Sequence, residues 1–116
     1  MITIKRVYEL PQKSDGIRIL VDRLWPRGLT KEKAKIDVWM KDIAPSDKLR
    51  TWFGHDPARW RKFKQKYRDE LKKNQDLIGQ IRNLESSKKT VTILFGANDE
   101  IHNNAVVLKA YLAKKG

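Results

Sequence analysis

Three short β-branched runs, a helix-rich middle and a helical C-terminal segment predict an α/β protein. The expected architecture is a small single-domain three-layer fold, with a parallel or mixed sheet and helices on both faces. The runs are Thr3 to Val7, Ile17 to Val21 and Thr90 to Phe95. Parallel strands need long, usually helical, crossovers, and the order β, β, helices, β, α supplies them. A chain of 116 residues suits one domain over residues 1–116, built round one hydrophobic core.

Taken in order, Thr3 to Val7 alternates polar and apolar residues and reads as the first strand. Leu10 to Gly16 is rich in turn formers. Ile19-Leu20-Val21 is a continuous apolar run, as in a strand buried on both faces. Asp22 ends it, and Pro26 and Gly28 impose an irregular loop. Thr30 can cap a short helix over Lys31 to Lys35. Ile36, Val38, Met40 and Ile43 suggest a short extended segment.

Ser46 caps a helix that reaches Phe53, with Asp47 at the positive end of its dipole and Gly54 closing it. Asp56-Pro57 opens the next helix, to about Lys73. Trp60, Phe63, Tyr67 and Leu71 form its apolar stripe. A further helix covers Asp76 to Leu84. Thr90 to Phe95 is the clearest strand. Asp99 is expected to cap the final helix, with Ile101, Ala105, Val106, Leu108 and Leu112 facing inward.

Charge narrows the partners. The formal net charge is +12, from 26 basic and 14 acidic residues. Such a field attracts polyanions and gives salt-dependent affinity for nucleic acid. The chain has no cysteine, which excludes disulfides, thiolate nucleophiles and thiolate metal sites. No apolar run approaches the length of a membrane span, and the N-terminal stretch lacks a signal-peptide core. The expectation is a cytoplasmic protein without membrane contact. Phosphate-loop, dinucleotide-fingerprint, zinc-spacing and nucleophile-elbow motifs are absent.

Two polar stretches stand where strands end, and open α/β sheets bind ligands there. The first is Asp22-Arg23-Leu24-Trp25-Pro26-Arg27-Gly28. Arg23 and Arg27 can converge on one anion, since a guanidinium grips phosphate through two parallel bonds. Trp25 could stack on a base. The plainer alternative pairs Asp22 with an arginine and buries Trp25. The second is Gly96-Ala97-Asn98-Asp99-Glu100-Ile101-His102-Asn103-Asn104. His102 could move a proton near neutral pH. Asp22, Asp99 and Glu100 are candidate Mg²⁺ ligands; capping alone would also explain Asp99 and Glu100. Asn103 and Asn104 join the candidate phosphate contacts. His55, beside Asp56 at a helix corner, could orient substrate. Arg59 and Lys62 lead a cationic helix face that could follow a nucleic-acid backbone, or be merely solvated.

At these residues the chain resembles the domain-of-unknown-function 488 family, in its YeaO-like branch. The matching motifs are Val21 to Leu29, Trp39 to Ser46, Leu49-Arg50, Trp52 to Pro57, Trp60, Phe63 and Tyr67. Asp99-Glu100, His102-Asn103 and Ala105 to Leu108 complete them. The resemblance implies a compact α/β fold and no assigned activity. The family pattern has Tyr-Ala-Ala where this chain has Phe95-Gly96-Ala97, and often a second histidine where it has Asn104. Longer relatives carry a Cys-His pair in the corresponding turn, so their thiol chemistry does not transfer to this chain.

The reading that joins these features is a nucleic-acid-directed phosphodiester hydrolase, a nuclease. Arg23 and Arg27 would hold the scissile phosphate. His102 or His55 would transfer the proton, and a divalent ion on Asp22, Asp99 and Glu100 would activate water. Two alternatives use the same residues: a non-catalytic basic nucleic-acid-binding module, and an enzyme for a small phosphorylated or nucleotide substrate. The tryptophan content could also support a homodimer.

Overall fold

The computed structural model describes residues 1–114. Its sheet has four strands, β1 (Ile2–Arg6), β2 (Ile17–Leu20), β3 (Val38–Trp39) and β4 (Val91–Phe95), in the spatial order β1-β4-β2-β3. Every pairing is parallel. All strands therefore end on one side, and both polar stretches emerge there together.

β4 is central and every one of its residues is buried, which accounts for its unbroken Val-Thr-Ile-Leu-Phe composition. In register, Ile2, Ile4, Ile17, Ile19, Val91, Ile93 and Phe95 share one face. That face carries the main core, under α2 (Asp47–Phe53), α3 (Trp60–Lys72), α4 (Gln75–Lys88) and α5 (Asn104–Ala113). Phe63, Tyr67 and Leu71 are the buried rungs of the α3 stripe, while Trp60 at its start is half-buried. The Tyr67 hydroxyl donates to the Ile43 carbonyl at 2.7 Å, giving its polar end a partner inside the core.

The other face is covered by α1 (Lys31–Ala34) and the loop before it, where Leu20, Leu94, Val7, Ala34 and Ile36 cluster with Trp25 and Leu29. Helices thus lie on both faces, but unequally. Beyond α1 this face holds a buried ionic group. Arg18, 3% exposed, reaches Asp15 at 2.6 Å and the Ala34 carbonyl at 2.8 Å. Lys5 also pairs with Asp15 at 3.2 Å.

Several elements differ from the expected ones. The extended segment shrinks to Val38–Trp39, because Ile43 closes a 3-10 turn, Lys41–Ile43. Pro57–Arg59 is also a 3-10 turn, capped by Asp56, and α3 starts only at Trp60. The last helix starts at Asn104 and its cap is Asn103, whose side chain accepts from Val106 N–H at 3.0 Å. Asp99 instead closes a turn, accepting from the N–H groups of Ile101 and His102. That shift leaves Ile101 69% exposed, and Val107 rather than Val106 faces the core.

Candidate functional site

A cleft of about 750 Å³ opens at the carboxyl end of the sheet. Asp22 to Arg27 form one wall, Gly96 to Asp99 with Asn103 and Asn104 another, and Ala44-Pro45, Arg50, Phe53, His55 and Phe63 the rest. Its size lies within the range of small-ligand pockets.

Asp22 joins the two walls. Its Oδ2 accepts from Gly96 N–H at 2.8 Å, and its carbonyl accepts from the Trp39 indole at 2.8 Å. The Asn104 amide donates to the Val21 carbonyl at 3.0 Å, next to the same carboxyl. Burial pushes the Asp22 carboxyl above its ordinary range, against the pull of Gly96 N–H, the Asn104 side chain and the charge of His55. His55 reaches this position from a left-handed backbone, φ 57°, one residue past the end of α2, after its Gly54 cap.

The two arginines of the loop have different work. Arg23 donates to the Pro45 and Ala44 carbonyls, each at 3.3 Å, and lies 3.8 Å from Asp47. It pins the start of α2 to the β2 loop while still lining the cleft. Arg27 is exposed, and its backbone carbonyl accepts from the Tyr8 hydroxyl at 3.0 Å. Gly28 follows at φ 80°, a left-handed turn suited to glycine. Trp25 donates to the Leu29 carbonyl at 2.7 Å and meets Trp39 edge-on at 5.2 Å. Its ring is braced and still lines the cleft.

The second stretch divides. His102 does not line the cleft. Its ring stands edge-on to Trp60 at 5.2 Å, and Nδ1 is 2.8 Å from Asp99. Bonds from the His102 N–H and ring, then from Ile101 N–H, hold the Asp99 carboxyl down at about 2. An ionised Asp99 assigns the proton to Nδ1. Asn103 is 3% exposed and fully explained by capping α5 and donating to the Asp99 carbonyl. Among the described residues no three His, Asp or Glu side chains converge as metal ligands. Asp22 and Asp99 line the cleft and Glu100 does not, so the proposed trio is not one ligand set.

Arg59 and Lys62 also lie off the cleft. Arg59 donates to the Trp52 carbonyl, pairs with Asp56 at 3.7 Å and covers the Trp52 ring. Lys62 is exposed on α3. Arg50 was not singled out in the sequence, and Asn98 was marked only as part of the strand-end stretch. Arg50 is an exposed α2 arginine 3.4 Å from Asp47, and Asn98 accepts from Arg6 at 3.1 Å. Position on a helix surface carried no signal that Arg50 faces this cleft.

A parallel α/β domain with a polar cleft at its strand ends is the class defined by this geometry. The chain belongs to the family described as the inactive DUF488-N3 subclade, whose model matches residues 1–115. It is similar to uncharacterized protein YeaO of Escherichia coli K12, 38% identical over 111 residues covering 96% of each chain. It is similar also to uncharacterized protein Rv3073c of Mycobacterium tuberculosis H37Rv, 36% identical over 111 residues, 96% of this chain and 92% of that one. No solved structure matches it. Among the described residues no helix is long and apolar enough to cross a membrane.

Proposed function

We propose that this protein binds nucleic acid without cleaving it, seating one nucleotide unit in the cleft. The observation that carries the reading is the lining: Arg23, Arg27 and Arg50 beside the partly exposed ring of Trp25, over a floor of buried Phe53 and Phe63. Guanidiniums suit phosphate and flat rings suit bases. Exposed Arg61, Lys62 and Lys66 on α3, within a net charge of +12, would add contacts to neighbouring phosphates. The family description and the position of His102 outside the cleft both favour binding over turnover.

A phosphodiesterase is the second reading. One observation favours it: a carboxyl raised above its ordinary range, Asp22, faces an imidazole, His55, in the same cleft. Fluorescence anisotropy with end-labelled single-stranded DNA and RNA separates the two. It would compare wild type with Arg27→Ala/Arg50→Ala, with Mg²⁺ or chelator. Arg23 is left intact because it also holds the Ala44 and Pro45 carbonyls. The binding reading expects salt-dependent affinity, weakened in the double variant, with the label intact in every arm. Cleavage that disappears in an Asp22→Asn variant would install the hydrolase instead. Equal affinity in wild type and double variant would remove the cleft from either reading.

A further inference from the structure

Of the four tryptophans, Trp39 is the most open to solvent, at 40% exposed. It ends β3, the short strand at one edge of the sheet. The fold pins it there. Its indole N–H donates to the Asp22 carbonyl at 2.8 Å, and its ring centre lies 5.2 Å from that of Trp25. Asp22 and Trp25 both line the cleft, so Trp39 adjoins the cleft from just outside it. Leu24, in the same wall, is 61% exposed. With its one polar atom engaged, the open part of the Trp39 ring offers only an aromatic surface.

Lys41 adds the charge. It stands on the 3-10 turn after β3, with its ammonium 5.3 Å from the centre of the Trp39 ring. An exposed cation–π contact is weaker than the stacking of a base on an aromatic ring. A base therefore displaces the flexible ammonium, which is then free to meet the adjoining phosphate. Both indole N–H groups are held, that of Trp25 by the Leu29 carbonyl and that of Trp39 by Asp22, so the two rings keep their angle of 70°. Bases laid on two such rings are splayed. In a duplex they stay stacked in parallel, and turning one away costs unpairing and unstacking that a single strand does not pay.

Resting on the proposed nucleotide-binding reading, we infer that Trp39 is a second base platform. A single strand leaves the cleft across the β3 edge, with one base against Trp25, the next stacked on Trp39, and the phosphate between them on Lys41. The site thus takes an unpaired segment of at least a dinucleotide and disfavours duplex. Charge favours this occupant: Arg27 lines the cleft with Trp25, Lys41 lies over Trp39, and the whole chain carries +12.

The test is calorimetric titration of the full chain with 5′-AMP and with the dinucleotide pApA, beside anisotropy with a short single-stranded oligonucleotide and with its duplex. Wild type is expected to bind pApA about tenfold tighter than 5′-AMP, in the lower part of the range for one stacked base, and single strand tighter than duplex at equal salt. Trp39→Ala, folded by circular dichroism, is expected to bring pApA down to the 5′-AMP level and leave 5′-AMP unchanged. Trp39→Phe keeps a ring but loses the bond to the Asp22 carbonyl, and should retain most of the pApA advantage. Lys41→Ala, a change at the surface, should weaken pApA and not 5′-AMP. Equal wild-type affinities for 5′-AMP and pApA, with both bound, overturn the platform alone. So does a pApA advantage that survives Trp39→Ala and Lys41→Ala. Equal loss in Trp39→Phe and Trp39→Ala makes the residue a brace for the Asp22 loop and overturns it as well. A wild-type dimer in sedimentation that Trp39→Ala dissolves gives the ring to a second copy instead. Failure of 5′-AMP, pApA and oligonucleotide alike to bind overturns the cleft reading itself, and this proposal with it.

Discussion

Replacing Arg18 by Met should cost about 3 kcal/mol, a large share of the ~5–15 kcal/mol that holds a domain together. The guanidinium donates to the Ala34 carbonyl through Nε and Nη2, at 3.1 and 2.8 Å, and to Asp15 through Nη1 at 2.6 Å. Methionine keeps the aliphatic stem and removes every donor. A buried carbonyl left without a partner costs about 1–3 kcal/mol, and the lost charged bond to Asp15 is worth a similar amount. Lys5 remains 3.2 Å from Asp15, so that carboxylate is not left unpaired, and the total falls toward the lower end.

With an unfolding entropy of about 0.24 kcal/mol/K for a chain of this length, the loss lowers Tm by about 12 °C. Urea denaturation and thermal melting both read it. Burial alone would raise the Asp15 carboxyl, but bonds from Gln12 N–H, Lys5 and Arg18 hold it below its ordinary value of 3.8. Its contribution is present above that value and is lost as pH falls through the depressed one. The gap between wild type and Arg18→Met should therefore narrow in acid. A loss below about 1 kcal/mol at neutral pH, as for a surface substitution, would show that Arg18 does not hold this face of the sheet.

Other changes probe the main core, the sheet and the cleft rim. Tyr67→Phe strips the donor from the buried Ile43 carbonyl and should cost about 1–3 kcal/mol by urea denaturation, with the stacking on Phe63 retained. Gly16→Ala should destabilise by more than about 1 kcal/mol, since the residue sits at φ 65° and a Cβ would lie 2.2 Å from the Thr90 carbonyl oxygen that Ile17 N–H uses. By NMR, the Asp99 carboxyl should titrate at about 2 in wild type and shift upward in His102→Ala. A midpoint unmoved by His102→Ala would mean that the ring does not hold it.

The strands were legible because β-branched runs have few other uses, and α3 because Trp60, Phe63, Tyr67 and Leu71 keep a helical spacing. The start of α5 was not. Asp99 and Asn103 are both good caps, and both side chains accept backbone N–H bonds. Only the extended backbone of Asn103, φ −144° and ψ 165°, decides which one precedes a helix. The cleft was half legible. Asp22, Trp25, Arg27, His55 and Asn104 come together as their strand-end and loop positions suggested. Arg23 is shared with the Ala44 and Pro45 carbonyls, and His102 is taken by Asp99 and Trp60. Such partners lie far along the chain or depend on helix placement, so local sequence carried no trace of them. Arg50 was hidden for the same reason, reading as an ordinary helix-surface charge.

The most direct test of binding in the cleft is a ¹H–¹⁵N NMR titration of the full chain with a short single-stranded oligonucleotide. Mass spectrometry of the oligonucleotide afterwards shows whether it is intact. Binding in the cleft should give saturable shifts concentrated at Asp22 to Gly28, Arg50, His55 and Gly96 to Asn98, weaker shifts along α3, and an unchanged oligonucleotide. Shifts confined to α3 with the strand ends silent would contradict it, as would a shortened oligonucleotide.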